Sequence, residues 1–240
     1  MCTVGLLNRR QRHRLKSVSY QLGYADRCPK LPRILLSELV GEDVELSMYA
    51  PEAKQWNVTT YELAALGALT RYFRPRRIFE LGTFDGRTTL NLAMNMLPEG
   101  DVITLDLPPG TVSLPGGLQS GERFLRREED DPLRRRIHPL YGNTFDFDFT
   151  PFHGSADLVF VDAGHAYKNV ANDSQVAAKL VRSDRFMIVW HDYQTFAGVT
   201  RAVDELRKHW PLAYFFGQIE QTTLACLWVD IDSSREDSRK

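Results

Sequence analysis

Cysteine is nearly absent. Cys2, Cys28 and Cys226 are the only three in 240 residues, and no two stand in a Cys-x-x-Cys spacing. That argues against a disulfide framework or a thiolate zinc site and fits a reducing compartment, so a cytoplasmic protein is the expectation. Long apolar runs are missing too: nothing approaches the roughly 18 residues of a membrane span. The polar N-terminus carries no apolar segment of the signal-peptide kind. Charge of one sign is not in excess either. Lys and Arg number 30, Asp and Glu 31, and the formal net charge is −1. No overall field therefore draws the chain to nucleic acid or to an anionic membrane, and neither is expected as a partner. The local exception, Arg9-Arg10-Gln11-Arg12-His13-Arg14-Leu15-Lys16, reads as a solvated arm rather than a nucleic-acid patch.

What is present suits one α/β domain. A chain of this length buries a substantial core, and 43% hydrophobic with 25% charged residues is a globular composition. Residues 1–58 lack strong periodicity and are broken by Pro29, Pro32 and Pro51; they read as a partly helical N-terminal extension packed on the main domain. From 59 the pattern changes. Thr59-Thr-Tyr-Glu62 has capping-box spacing ahead of Leu63, Leu66, Leu69 and Phe73 at helical intervals. Apolar strands are expected at 78–81, 102–107, 137–141, 156–162 and 186–192. Helices are expected at 87–96, 124–136, 170–181 and 198–210, and closing strands at 214–216 and 222–230. Strands alternating with helices predict a doubly wound, mostly parallel, Rossmann-like sheet of seven strands over residues 59–232. The polar residues 233–240 read as a frayed tail.

In such sheets ligands bind beyond the carboxyl ends of the strands. Those ends carry Glu80-Leu-Gly82, Asp106, Gly142-Asn143-Thr144, Asp162 and His191-Asp192. Four carboxylates gathered on one edge repel one another and raise each other's pKa, so a cation, a ribose or a ligand ammonium is needed to offset them. Asp106 follows Gly86 by 20 residues, where an acid grips a ribose in dinucleotide folds. The glycines, however, are spaced Gly82-x-x-x-Gly86 rather than Gly-x-Gly-x-x-Gly. With Glu80 beside them, a pyrophosphate such as that of NAD is poorly served. A ligand with ribose hydroxyls and a positive charge fits better, and S-adenosylmethionine has both.

Phe79-Glu-Leu-Gly-Thr-Phe-Asp-Gly-Arg-Thr-Thr89, Ile103-Thr-Leu-Asp106, Val159-Phe-Val-Asp-Ala-Gly-His-Ala-Tyr167 and Val189-Trp-His-Asp-Tyr193 together resemble class I S-adenosylmethionine-dependent methyltransferases. Within them they are similar to the small O-methyltransferase group with Asp-Gly-x-His-x-Tyr and His-Asp-Tyr elements. The similarity runs from about Asn57 to Asp230. It implies methyl transfer from S-adenosylmethionine to a hydroxyl of a small molecule. It also implies roles for residues: Glu80, Gly82, Thr83 and Gly86 at the methionine end of the cofactor, Asp106 on the ribose, Asn143 and Thr144 near the adenine, and Asp162 beside them. Asn143 stands where relatives often carry Asp.

Some relatives hold a divalent cation after these strands. Here Asp162, Asp192 and His191 are the expected ligands, of Mg²⁺ or, given the imidazole, of Mn²⁺. His165, three residues past Asp162, is placed to take the acceptor's proton, with Asp162 as the other catalytic candidate. The loop 108–121 and the N-terminal extension are expected to set substrate choice, and pairing into a homo-oligomer is left open. Two rival readings stand beside this one: a regulatory protein that binds the cofactor without turnover, and an RNA methyltransferase using the basic arm.

Overall fold

The computed structural model describes residues 30–54, 56–111, 117–209 and 215–230. The basic run at 9–16, Cys2, Cys28, the middle of loop 108–121 and the tail from 233 lie outside the described residues. The elements in chain order are β1 (Arg33–Ile34), α1 (Leu36–Val40), α2 (Thr60–Phe73), β2 (Arg77–Leu81), α3 (Arg87–Asn95), β3 (Asp101–Asp106), α4 (Glu122–Leu125) and β4 (Ile137–Tyr141). They continue with β5 (Leu158–Val161), α5 (Tyr167–Leu180), β6 (Arg185–Trp190), α6 (Ala197–Leu206), β7 (Phe215–Ile219) and β8 (Ala225–Asp230).

One sheet of eight strands runs in the order β1-β7-β8-β6-β5-β2-β3-β4. β6, β5, β2, β3 and β4 pair in parallel, while β8 lies antiparallel to both β6 and β7. The doubly wound, mostly parallel sheet is therefore as the sequence pattern implies. The eighth strand is the short β1, which adds to the edge through the register Arg33–Gln218 and Ile34–Ile219. Side chains along each strand alternate between two buried layers. Ile78, Phe160, Met187 and Val189 pack with α2 and α3 on one face. Phe79, Leu81, Val159, Ile188 and Trp190 pack with α5 and α6 on the other. Burial on both faces explains why these strands read as unbroken apolar runs.

One expectation is corrected. A continuous helix over 124–136 does not form: α4 ends at Leu125, and only a single 3₁₀ turn, Arg134–Arg136, follows. Pro132 disfavours helical backbone at Asp131, whose carboxylate instead receives the N–H groups of Leu133 and Arg134. Among the described residues of the N-terminal extension the sole helix is α1; most of the rest is irregular chain laid over α3. Asn95 pairs with both the N–H and the C=O of Ser47, and Asn91 does the same for Tyr49. The buried Arg87 guanidinium donates to the carbonyls of Ala50, Pro51 and Val58. Polar side chains of one helix thus supply the partners that a neighbouring strand would otherwise give.

Candidate active site

The chain leaves β2 for β3 on one side of the sheet and returns to β5 on the other, so the crevice between β2 and β5 is the topological switch point. Gly82 sits there with φ +96°, and a Cβ on it would lie 2.3 Å from the carbonyl oxygen of Asp162. Only glycine allows the two strand ends to close in this way. Gly86, φ +83°, forms the αL cap of α3. Its missing Cβ leaves room for the Phe124 ring.

Around this crevice the expected residues converge in part. Glu80 is fully buried. Its Oε2 accepts from Thr89 Oγ1 at 2.5 Å and Thr104 Oγ1 at 2.6 Å, while its Oε1 has no hydrogen-bond partner. Burial, and then the nearby charges of Asp162 and Asp106, push its pKa up to about 8 although the two threonines oppose the shift. Asp106, at the end of β3, accepts from the N–H groups of Thr83, Phe84 and Leu107 and from Ser120 Oγ at 2.9 Å. Thr83 turns its own hydroxyl onto Thr104, 2.6 Å away. Asn143 and Thr144 follow β4, two strands over. There Asn143 accepts from the N–H of Phe145, and Asn172 Nδ2 donates to the carbonyl of Thr144.

The ends of β5 and β6 carry the densest charge. His165 Nε2 lies 3.1 Å from Asp192 Oδ2, and its ring is stacked on Phe196 with centroids 4.2 Å apart. Asp192 holds an αL backbone, φ +61°, unusual for a residue with a side chain, and its N–H donates to Thr223 Oγ1. His191 Nδ1 is 3.0 Å from Asp162 Oδ1 and 3.5 Å from Asp192 Oδ2, while its Nε2 faces Glu62 Oε2 at 3.3 Å. Burial alone would lower the His191 pKa, but the surrounding carboxylates, Asp162 foremost, raise it well above its ordinary value. Burial would likewise raise Glu62 and Asp192, and bonds to the histidines hold both far below the carboxylate range.

One atom each from Asp162, His165 and Asp192 lies within 4.8 Å of the others. The ligand set expected from the sequence included His191 in place of His165. In the fold His191 Nδ1 lies against both aspartates while its Nε2 faces Glu62, and His165 brings a second imidazole to Asp192. Glu62 is the participant that sequence reasoning missed. Its sequence signal is that of a capping box with Thr59, which carries no sign of a second role.

A family model described as a methyltransferase domain matches residues 79–193. The chain is 29% identical over 166 residues to the catechol O-methyltransferase of Mycobacterium tuberculosis, covering 67% of this chain and 70% of that one. Among solved structures, the O-methyltransferase TomG of Streptomyces achromogenes, in complex with S-adenosylmethionine, superposes with a TM-score of 0.55 at 17% identity, over 93% of this chain and 100% of that one. The Bacillus cereus O-methyltransferase, in complex with S-adenosylhomocysteine, gives 0.52 at 18% identity, over 73% and 82%. The strand order is that of the class I methyltransferase fold. The matched segment is similar to a methyltransferase domain, and the mycobacterial protein to which the chain is similar is an O-methyltransferase. Among the described residues no helix is long and apolar enough to cross a membrane.

Proposed function

We propose that this chain methylates a hydroxyl of a catechol-like small molecule, with a divalent cation held by Asp162, His165 and Asp192. The observation that carries the proposal is the convergence of those three side chains within 4.8 Å, beside the glycine turn. The fit is favourable. Neighbouring ligands of an ion bound at about 2.1 Å stand roughly 3 Å apart, and His165 Nε2 and Asp192 Oδ2 are separated by 3.1 Å. Two carboxylates and an imidazole favour Mn²⁺ over Mg²⁺. The name of the mycobacterial relative supports a catechol-like acceptor.

The cofactor pocket is supported in the same way by an orphaned atom. Glu80 Oε1 is buried without a partner, which suits a ligand carrying a positive charge. Asp106 takes the ribose hydroxyls, and the ribose replaces Ser120, the only one of its four donors that is a side chain. Gly82, Thr83 and Gly86 let backbone approach the methionine end, and Asn143 and Thr144 border the adenine. The reaction is an in-line displacement: a bond forms from the acceptor oxygen to the methyl carbon as the carbon–sulfur bond breaks. The protein therefore contributes mainly alignment and exclusion of water. A cation at the three ligands would supply positive charge that lowers the acceptor hydroxyl's pKa, so that its proton passes to solvent water. Phe196, stacked under His165, keeps that ring in place.

A second reading rests on the His165–Asp192 pair itself. At 3.1 Å Asp192 can orient the imidazole as a general base without any ion. Manganese titration of the S-adenosylhomocysteine-loaded protein, followed by electron paramagnetic resonance, separates the two, together with methyl transfer to catechol with and without chelator. Mn²⁺ binding lost in both Asp162→Ala and Asp192→Ala, with transfer abolished by chelator, supports the first reading. Transfer that survives chelator and disappears in His165→Ala supports the second. Failure to bind either adenosyl ligand overturns both.

A further inference from the structure

We propose that Glu62 is a positioning residue of the acceptor site, acting on Asp162 through His191 and on Asp192 through Thr223. The inference rests on the proposed function of those two aspartates. A capping box asks a glutamate only to reach back to the N-cap N–H and leaves the rest of the carboxylate in water. Glu62 does reach Thr59 N, at 2.9 Å, yet it is only 2% exposed and uses both oxygens fully. Its Oε1 accepts from the N–H and hydroxyl of Thr223 at 2.7 and 2.6 Å. Its Oε2 accepts from the Thr59 hydroxyl at 2.9 Å and faces His191 Nε2 at 3.3 Å. Burying a carboxylate costs several kcal/mol unless it is paired, so a cap alone does not account for its place.

Two arms leave this buried carboxylate and end on different carboxylates of the site. In the first, the His191 ring is strung between Glu62 and Asp162, since its Nδ1 lies 3.0 Å from Asp162 Oδ1. The ring cannot turn about its χ angles without breaking one end. In the second, the Thr223 hydroxyl donates to Glu62 and accepts from the N–H of Asp192 at 3.2 Å. That bond anchors the αL backbone which aims the Asp192 carboxylate. Glu62 belongs to the first turn of α2, Thr223 to the turn between β7 and β8, and both lie outside the matched methyltransferase segment 79–193. Elements remote in sequence thus fix the geometry of the strand ends. Outer partners of this kind commonly change metal affinity or activity by about 10–100-fold when removed.

The test compares wild type with Glu62→Gln, Thr223→Val and Thr59→Ala, each first checked by urea unfolding. The expected result is Mn²⁺ affinity at least about tenfold weaker in Glu62→Gln and reduced in Thr223→Val. S-adenosylhomocysteine affinity, from isothermal titration, should stay within about twofold of wild type, the scatter expected for a site away from the change. Thr59→Ala removes the cap hydroxyl and leaves both arms, so its Mn²⁺ affinity should move much less. Unchanged Mn²⁺ affinity in Glu62→Gln overturns the proposal, as does a parallel fall in both affinities, which would mean general damage. If wild type takes up no Mn²⁺, the cation reading of the function fails separately. The clamp is then judged by nitrogen-15 NMR of the His191 ring. A slowly exchanging ring N–H present in wild type and lost in Glu62→Gln sustains it, and identical signals in both overturn it. Should Glu62→Gln not fold, Thr223→Val carries the same comparison on the second arm.

Discussion

At the scale of single residues, the strand-end acids differ in what their surroundings ask of them. Asp106 is saturated by four donors, three of them backbone N–H groups of the turns that follow β2 and β3. On the proposed assignment the three N–H groups hold it in place for ribose hydroxyls, which would replace only Ser120 Oγ. Hydrogen bonds to a charged group contribute about 1.5–3 kcal/mol, so Asp106→Ala should weaken S-adenosylhomocysteine binding about 10–100-fold by isothermal titration. Ser120→Ala frees one acceptor site on the same carboxylate and should leave that affinity unchanged or tighter. Wild-type affinity in Asp106→Ala would remove this residue from the cofactor site. Such acids were legible from sequence because strand ends in a parallel sheet are where ligands bind, and because each follows an apolar run. His191 was legible as a polar strand-end residue, but not its orientation. Its Nε2 faces Glu62, 129 residues away in the chain.

Elements were legible wherever one periodicity ruled. β2, β3, β5 and β6 are buried on both faces and α2 carries its cap, so local pattern and tertiary environment agree. The segment 124–136 misled because its charged residues favour a helix by propensity while Pro132 and the Asp131 side chain favour a turn. The chain at Ser47, Tyr49, Ala50, Pro51 and Val58 was opaque for another reason: its polar partners come from α3. Asn95 satisfies both polar groups of Ser47 and also bonds the Asn91 carbonyl. Asn95→Ala would leave the Ser47 groups short of partners, at about 1–3 kcal/mol for each group left buried. Urea unfolding should show a lower midpoint with an unchanged m-value. An unaltered midpoint would mean that this strap is held by other contacts.

For the whole molecule, Cys226 offers a probe of cooperative opening. It lies in β8 between β6 and β7, and burial pushes its thiol up to about 12. Alkylation at pH 8, resolved by peptide mass spectrometry from that of Cys2 and Cys28, should therefore proceed only through opening of the sheet. S-adenosylhomocysteine at 100 times its dissociation constant should slow it about 100-fold, since such a ligand adds about 2.7 kcal/mol to the native state. Rapid labelling in the folded protein would show that this part of the sheet opens locally. The doubly wound sheet, the crevice beyond its strand ends and the acids that line it were all readable from local pattern, because alternating apolar strands and helices admit few arrangements. Long-range packing added that β1 extends the sheet, that His165 joins His191 beside the two aspartates, and that Glu62 meets His191 and Thr223. These are contacts between residues far apart in the chain, and no local pattern encodes which distant partner a buried polar group will find.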